Sequence, residues 1–122
     1  MLDKHISKEV LIKKIGFKEC YIIVHNNMDF GILRYNLFWD NTPFMNMIYI
    51  SEGYRKKGIG KMAVSFWEDE MRLSGYKTVM TSTQADESAQ YFYRAIGYKD
   101  SGCLIFDTQP LEIILTKNIT TC

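Results

Sequence analysis

The run Glu52-Gly53-Tyr54-Arg55-Lys56-Lys57-Gly58-Ile59-Gly60-Lys61 concentrates cations and glycines between a stretch that reads as a strand and one that reads as a helix. Unpaired N–H groups at a helix start favour an anion, and glycines let backbone approach an oxygen without a Cβ in the way. Arg55, Lys56, Lys57 and Lys61 add charge suited to a ligand with several phosphates. The plainer reading is a turn at Gly58 and Gly60 with solvated lysines around it. Phosphate readings divide on spacing. A P-loop needs Lys and then Ser or Thr after its second glycine, whereas Gly58 is followed by Ile59 and Gly60. The dinucleotide pattern matches Gly58-Ile59-Gly60-Lys61-Met62-Ala63, but the acidic residue expected about 20 residues later is missing from Thr78 to Gln84.

The elements around this loop follow from punctuation and period. Asp3 to Ile15 predicts a short helix stopped by Gly16. Cys20–Val24, Gly31–Trp39 and Phe44–Ser51 predict an antiparallel meander, with turns at 26–29 and 40–43. From Ile59 the apolar positions Met62, Ala63, Phe66 and Leu73 trace one helical stripe ending at Gly75, with Lys61, Glu68, Asp69 and Arg72 opposite. Thr78–Thr83 predicts a strand, and Asp86 or Ser88 caps a helix carrying Ala89, Phe92 and Ile96 that stops at Gly97. Leu104–Phe106 and Leu111–Leu115 predict two closing strands. The expected fold is α+β, a mixed, mostly antiparallel sheet flanked by helices.

The chain has 122 residues, 47% hydrophobic and 24% charged, which predicts one domain over 1–122 with a sizeable core. A net charge of +1 argues against a dedicated nucleic-acid partner. Cys20, Cys103 and Cys122 form neither a C-x-x-C pair nor an even set, so no disulfide scaffold and no metal site is expected. The absence of a signal-like segment or a long apolar run predicts a cytoplasmic chain with no membrane partner. His5 and His25 have no partner at ligand spacing, and Trp39, Phe38, Tyr35, Phe44 and Tyr49 read as an aromatic pocket or as core.

Arg55-Lys56-Lys57-Gly58-Ile59-Gly60, preceded by Ile48-Tyr49-Ile50 and Tyr54, resembles the acyl-CoA loop of the GNAT superfamily of N-acetyltransferases. Phe92-Tyr93-Arg94-Ala95-Ile96-Gly97-Tyr98 resembles that family's Phe-Tyr-x-x-x-Gly-Phe signature, in the expected order. The resemblance covers Cys20 to Leu115 and implies a fold with splayed central strands, the pantetheine arm lying between the strand ending at Ile50 and Thr78–Thr83. It implies that backbone groups of Ile48 and Ile50 bond pantetheine and that Arg55, Lys56, Lys57, Gly58, Ile59, Gly60 and Lys61 hold the pyrophosphate. It further implies that the Ile50 N–H stabilises an oxyanion and that the Tyr93 hydroxyl faces the departing sulfur. The resemblance implies Tyr93 as the general acid; a phenol is weak for that task, so unless its pKa is lowered it mainly donates a stabilising hydrogen bond.

Departures from the family pattern fall at three places. Asn46 and Met47 stand where a carboxylate base is frequent, and Glu52, Asp40 and Asp29 are substitutes only by residue type. Asp86 replaces a frequent Asn that bonds pantetheine, and the segment before the hairpin is short. The function implied is transfer of an acetyl group from acetyl-CoA to an unidentified amine acceptor, with no metal and with room for a homodimer. A noncatalytic CoA-binding or regulatory module and a nicotinamide-dinucleotide enzyme are the alternatives.

Overall fold

The computed structural model describes residues 11–14, 19–25 and 28–120, with residues 11–14 and 25 described by backbone alone. Its elements run β1 (Leu11–Lys14), β2 (Cys20–His25), β3 (Met28–Phe38), β4 (Thr42–Ile50), a 3-10 turn (Glu52–Tyr54), α1 (Ile59–Leu73), β5 (Thr78–Gln84), α2 (Ala89–Ala95), β6 (Lys99–Leu104) and β7 (Glu112–Asn118). The class is α+β, with mostly antiparallel strand pairing. The chain divides into two compact units, one of residues 1–36 and 45–70, the other of 37–44 and 71–122.

In the first unit β1 pairs antiparallel with β2, Leu11 opposite Val24, and β2 with β3, Tyr21 opposite Leu33. The helix expected over Asp3–Ile15 is therefore corrected at 11–14, which form a strand; the rest of that stretch lies outside the described residues. Leu-Ile-Lys-Lys is too short to show a period, and the open edge of β2 supplies the ladder partners that decide it. Tyr21, Ile23, Leu33, Tyr35 and Met45 are buried, as are Ile59, Ala63, Val64 and Trp67 on α1. The Tyr35 and Trp67 rings lie 5.8 Å apart and Tyr21 meets Phe66 edge-on at 5.7 Å.

The buried arc of α1 departs from the expected stripe. Leu73 is 83% exposed, whereas Glu68, expected on the outer face, is 5% exposed. Apolar residues at 62, 63, 64, 66 and 67 span well over half a turn, and the bulk of Trp67 selects the arc that goes inward.

In the second unit β7 pairs antiparallel with both β5 and β6, Thr81 opposite Leu115 and Cys103 opposite Ile113. Val79, Thr81, Tyr93, Tyr98, Leu115 and Ile119 are buried. The strand expected at Leu104–Phe106 in fact ends at Leu104. Lys99-Asp100-Ser101-Gly102 has no β-branched or aromatic residue to announce a strand, and every residue of β6 is exposed, so backbone pairing with β7 holds it in place.

Candidate functional site

Two successive peptide groups at the end of β4 are fixed from opposite sides. The Ser51 N–H donates to the Phe30 carbonyl at 2.7 Å, which turns the Ile50 carbonyl of the same peptide away from β3. That carbonyl accepts from Arg55 Nε at 2.6 Å. One peptide earlier, the Tyr49 carbonyl lies so close to Gly31 of β3 that a Cβ there would meet it at 2.9 Å. A trans peptide then directs the Ile50 N–H away from β3, and the alternation of a strand sends the N–H and C=O of Ile48 the same way. Ile48 and Ile50 thus direct their backbone groups away from β3. Tyr54 stacks on Phe30 at 4.2 Å and anchors the following turn to β3.

Beyond Tyr54 the backbone alternates in hand on its way into α1. Lys56 and Gly58 have positive φ, 62° and 80°, with Lys57 between them at negative φ, an alternation that turns successive N–H groups toward one side. A non-glycine residue in the left-handed region costs about 1 kcal/mol, strain that Lys56 carries. The first intrahelical bond of α1 runs from Met62 N–H to the Gly58 carbonyl, so the N–H groups of Ile59, Gly60 and Lys61 have no acceptor within the helix. The first turn has no acidic side chain to neutralise the dipole. A Cβ at Gly58 would meet nothing within 4 Å, so the space over that glycine is open. Beside it runs a groove of ≈ 480 Å³ lined by Gly58, Lys61, Met62, Ser65, Phe66 and Asp69. Arg55, Lys56 and Lys61 are exposed and Lys57 half-buried, while the Ile59 side chain is buried, leaving that residue only its N–H to offer.

Tyr93 sits in the second unit on α2. The helix buries Gln90 and Tyr93, while Phe92 and Ile96 are half-buried, a face rotated by one residue from the expected Ala89–Phe92–Ile96 stripe. Gly97 closes the helix in the left-handed region and Tyr98 folds back, its ring 5.7 Å from that of Tyr93. The spacing of the signature thereby acquires a physical reason. Burial pushes the Tyr93 phenol above its ordinary value, a hydrogen bond with Thr81 opposes this, and the charge of Glu87 adds a smaller upward push.

Neither Asp86 nor Ser88 caps α2 through its side chain. Ser88 stands at the N-cap without a side-chain bond, and Asp86 is exposed. Glu87, which the sequence reading passed over, holds the turn: its Oε1 accepts from the Gln84 N–H at 2.9 Å and the Thr83 hydroxyl at 3.1 Å. Gln90 completes it by donating to the carbonyls of Ala85 and Glu87, each at 2.8 Å. In Asp86-Glu87-Ser88 every residue can cap, and only the turn's path past Thr83 makes the choice.

Asn46 Nδ2 donates to Asn36 Oδ1 at 3.0 Å, and the Met47 sulfur accepts from Arg34 at 3.4 Å. Asp29, Asp40 and Glu52 are exposed residues of a strand start and two turns. Among the aromatic residues Tyr35 is core, Tyr49 lies under the Arg55 guanidinium at 5.3 Å, and Phe38 contacts both Trp39 and Phe44. Cys20 is buried and Cys103 exposed, both free; Cys122, His5 and the His25 side chain lie outside the described residues. Among the described residues no group of three or more His, Cys, Asp and Glu could hold a metal ion, and no helix is long and apolar enough to cross a membrane.

The pattern of the Acetyltransferase (GNAT) family matches residues 5–98. This chain belongs to the GNAT acetyltransferase family. It is 27% identical over 99 residues to the uncharacterized protein YyaT of Bacillus subtilis (strain 168), covering 81% of this chain and 65% of YyaT, just under two thirds of that relative's length. A GNAT-family acetyltransferase from Bacillus cereus ATCC 10987 is 28% identical with a TM-score of 0.68, covering 82% of this chain and 70% of the other. A GNAT-family acetyltransferase from Elizabethkingia anophelis, solved with acetyl-CoA bound, shares the fold at a TM-score of 0.74 and 17% identity, over 96% of this chain and 81% of its own.

Proposed function

We propose that this GNAT chain is a cytoplasmic N-acetyltransferase that moves an acetyl group from acetyl-CoA to a primary amine of a small molecule or protein, by direct attack in a ternary complex. The observation that carries the reading is the backbone at 56–61, where alternating φ and helix-start N–H groups meet an uncompensated dipole and three lysines. The open space over Gly58 and the lack of a carboxylate within residues 56–61 fit a diphosphate. Lys56 through Lys61 would hold that diphosphate and the outward edge of Ile48 and Ile50 the pantetheine amides; the exposed Asp86 can accept from an amide but cannot donate to one. Acetyl-CoA supplies an acyl group already activated as a thioester.

The remaining work falls to the chain. The Ile50 N–H is a main-chain donor held in place by the peptide clamp, available to a developing oxyanion. Tyr93 keeps its proton at neutral pH, as a phenol ordinarily does and as burial reinforces, so its hydroxyl has a hydrogen to offer the departing sulfur. Its role is to donate a hydrogen bond there. The attacking amine must be neutral, and neither Asn46 nor Met47 can take its proton. The amine therefore reaches the site deprotonated or loses its proton to water.

CoA thiol release measured over a panel of amines between pH 7 and pH 10 tests this. For an amine of pKa about 10.4 the rate constant at low amine should climb roughly tenfold per pH unit, as the neutral fraction does. A plateau beginning near pH 7 would instead reveal an enzymic base. The Asn46–Asn36 bond, occupying the usual position of that base, favours a second reading, a noncatalytic CoA-binding module. Stabilisation by acetyl-CoA without thiol release from any amine would select it. The nicotinamide-dinucleotide reading loses ground because β5, β7 and β6 pair antiparallel rather than continuing a parallel sheet.

A further inference from the structure

We propose that Arg55 serves the acyl end of the cofactor site, as a positioning residue acting through Ile50, rather than the phosphate end as a charge. The inference rests on the acetyl-CoA reading above. Arg55 sits at the head of the basic run, where its charge alone would assign it to the diphosphate. Its side chain instead folds back along β4. Nε donates to the Ile50 carbonyl at 2.6 Å, and the guanidinium lies over the Tyr49 ring, 5.3 Å from the centroid.

The carbonyl it holds belongs to the peptide group whose N–H, that of Ser51, is bonded to Phe30 at 2.7 Å. That peptide is therefore pinned at both polar atoms, which fixes ψ of Ile50 and with it the strand's exit. On the other side of the same α-carbon, Gly31 leaves room for the Tyr49 carbonyl, which a Cβ there would meet at 2.9 Å. Arg55 and Gly31 thus bear on adjacent peptides: Arg55 holds one through its hydrogen bond, and the bare α-carbon of Gly31 lets the other pack close, which sets the direction of the Ile50 N–H. A donor of this kind is useful only when its direction is set in advance, because small misplacements at a reacting carbonyl are expensive. A lysine cannot replace Arg55 in this task, since it lacks both the inner Nε–H and the flat face that covers Tyr49.

The test separates the two ends of the ligand. Dissociation constants for acetyl-CoA and for adenosine 3′-phosphate 5′-diphosphate, which carries the phosphates but no pantetheine, are measured by calorimetry on wild type, Arg55→Lys, Arg55→Gln and Gly31→Ala. Thermal denaturation of each unliganded variant checks folding. Arg55→Lys, with its charge intact, should weaken acetyl-CoA about tenfold, the value of one hydrogen bond to a charged group, and change the fragment less than about twofold. Gly31→Ala, which alters no charge, should give the same selective loss. Equal losses for both ligands in Arg55→Gln with recovery in Arg55→Lys would overturn the proposal in favour of a phosphate contact, and so would unchanged affinities throughout. Failure of the wild type to bind acetyl-CoA would instead remove the functional reading on which it rests.

Discussion

Gly31→Ala measures how tightly β3 and β4 are set against each other beside the site. The added Cβ would lie 2.9 Å from the Tyr49 carbonyl oxygen and 3.0 Å from the Cδ1 atoms of Ile23 and Ile50. The isoleucine ends can rotate away, but the carbonyl is backbone, so β4 must retreat by several tenths of an ångström to reach ordinary contact near 3.4 Å. Overpacking of this sort costs about 1–3 kcal/mol. Against it stands the stiffening of the unfolded chain by alanine, about 0.4–1 kcal/mol. The net expectation is a loss of about 1–2 kcal/mol, read as a lower urea midpoint at unchanged slope, or as a melting temperature lower by roughly 3–10 °C. Gly31→Val should cost more than Gly31→Ala despite its better strand propensity. Equal or greater stability in Gly31→Ala would mean that the strands separate freely there, and the clamp on the Ile50 peptide would lose its physical basis.

Three other outcomes follow from particular residues. Trp39 and Asp40 both have positive φ, 56° and 60°, at the tip of the β3–β4 hairpin, and Trp39 is 79% exposed. Replacing Trp39-Asp40 by Asn-Gly should raise stability by about 1 kcal/mol in urea denaturation even though the Phe38 ring contact is lost, and a fall would show that this contact outweighs the strain. Tyr93→Phe should lower kcat about 100-fold while leaving acetyl-CoA affinity in place, and unchanged turnover would remove the phenol from the reaction. Because the folded-state pKa of Tyr93 is raised above its ordinary 10.0, its contribution to stability is complete below pH 10 and is lost as pH climbs through the folded value. Chemical denaturation at pH 9 and pH 11 should therefore show a smaller alkaline loss in Tyr93→Phe than in wild type, and identical losses would contradict the burial argument.

The bend into α1 was legible because its signals are local. Glycine at 58 permits a left-handed backbone, the helix that follows leaves its first N–H groups unpaired, and both are properties of consecutive residues. The same holds for Tyr93-Arg94-Ala95-Ile96-Gly97-Tyr98, where a helix closed by glycine returns an aromatic ring onto the tyrosine. The strand at Leu11–Lys14 and the strand at Lys99–Leu104 were not legible, since each is held by the ladder of a neighbouring strand. The buried face of α1 was misread for a related reason. Several apolar arcs compete on that helix, and what it packs against chooses among them.

The sequence by itself determined which backbone stretches bend, cap and carry charge, because those preferences are settled within a few bonds. Tertiary structure alone decided that Arg55 turns back to Ile50, that Gly31 makes room for Tyr49, and that Glu87 rather than Asp86 or Ser88 fixes the turn before α2. Each of these is a choice among partners of equal chemical aptitude. Distance makes the choice, and distance exists only once the chain has folded.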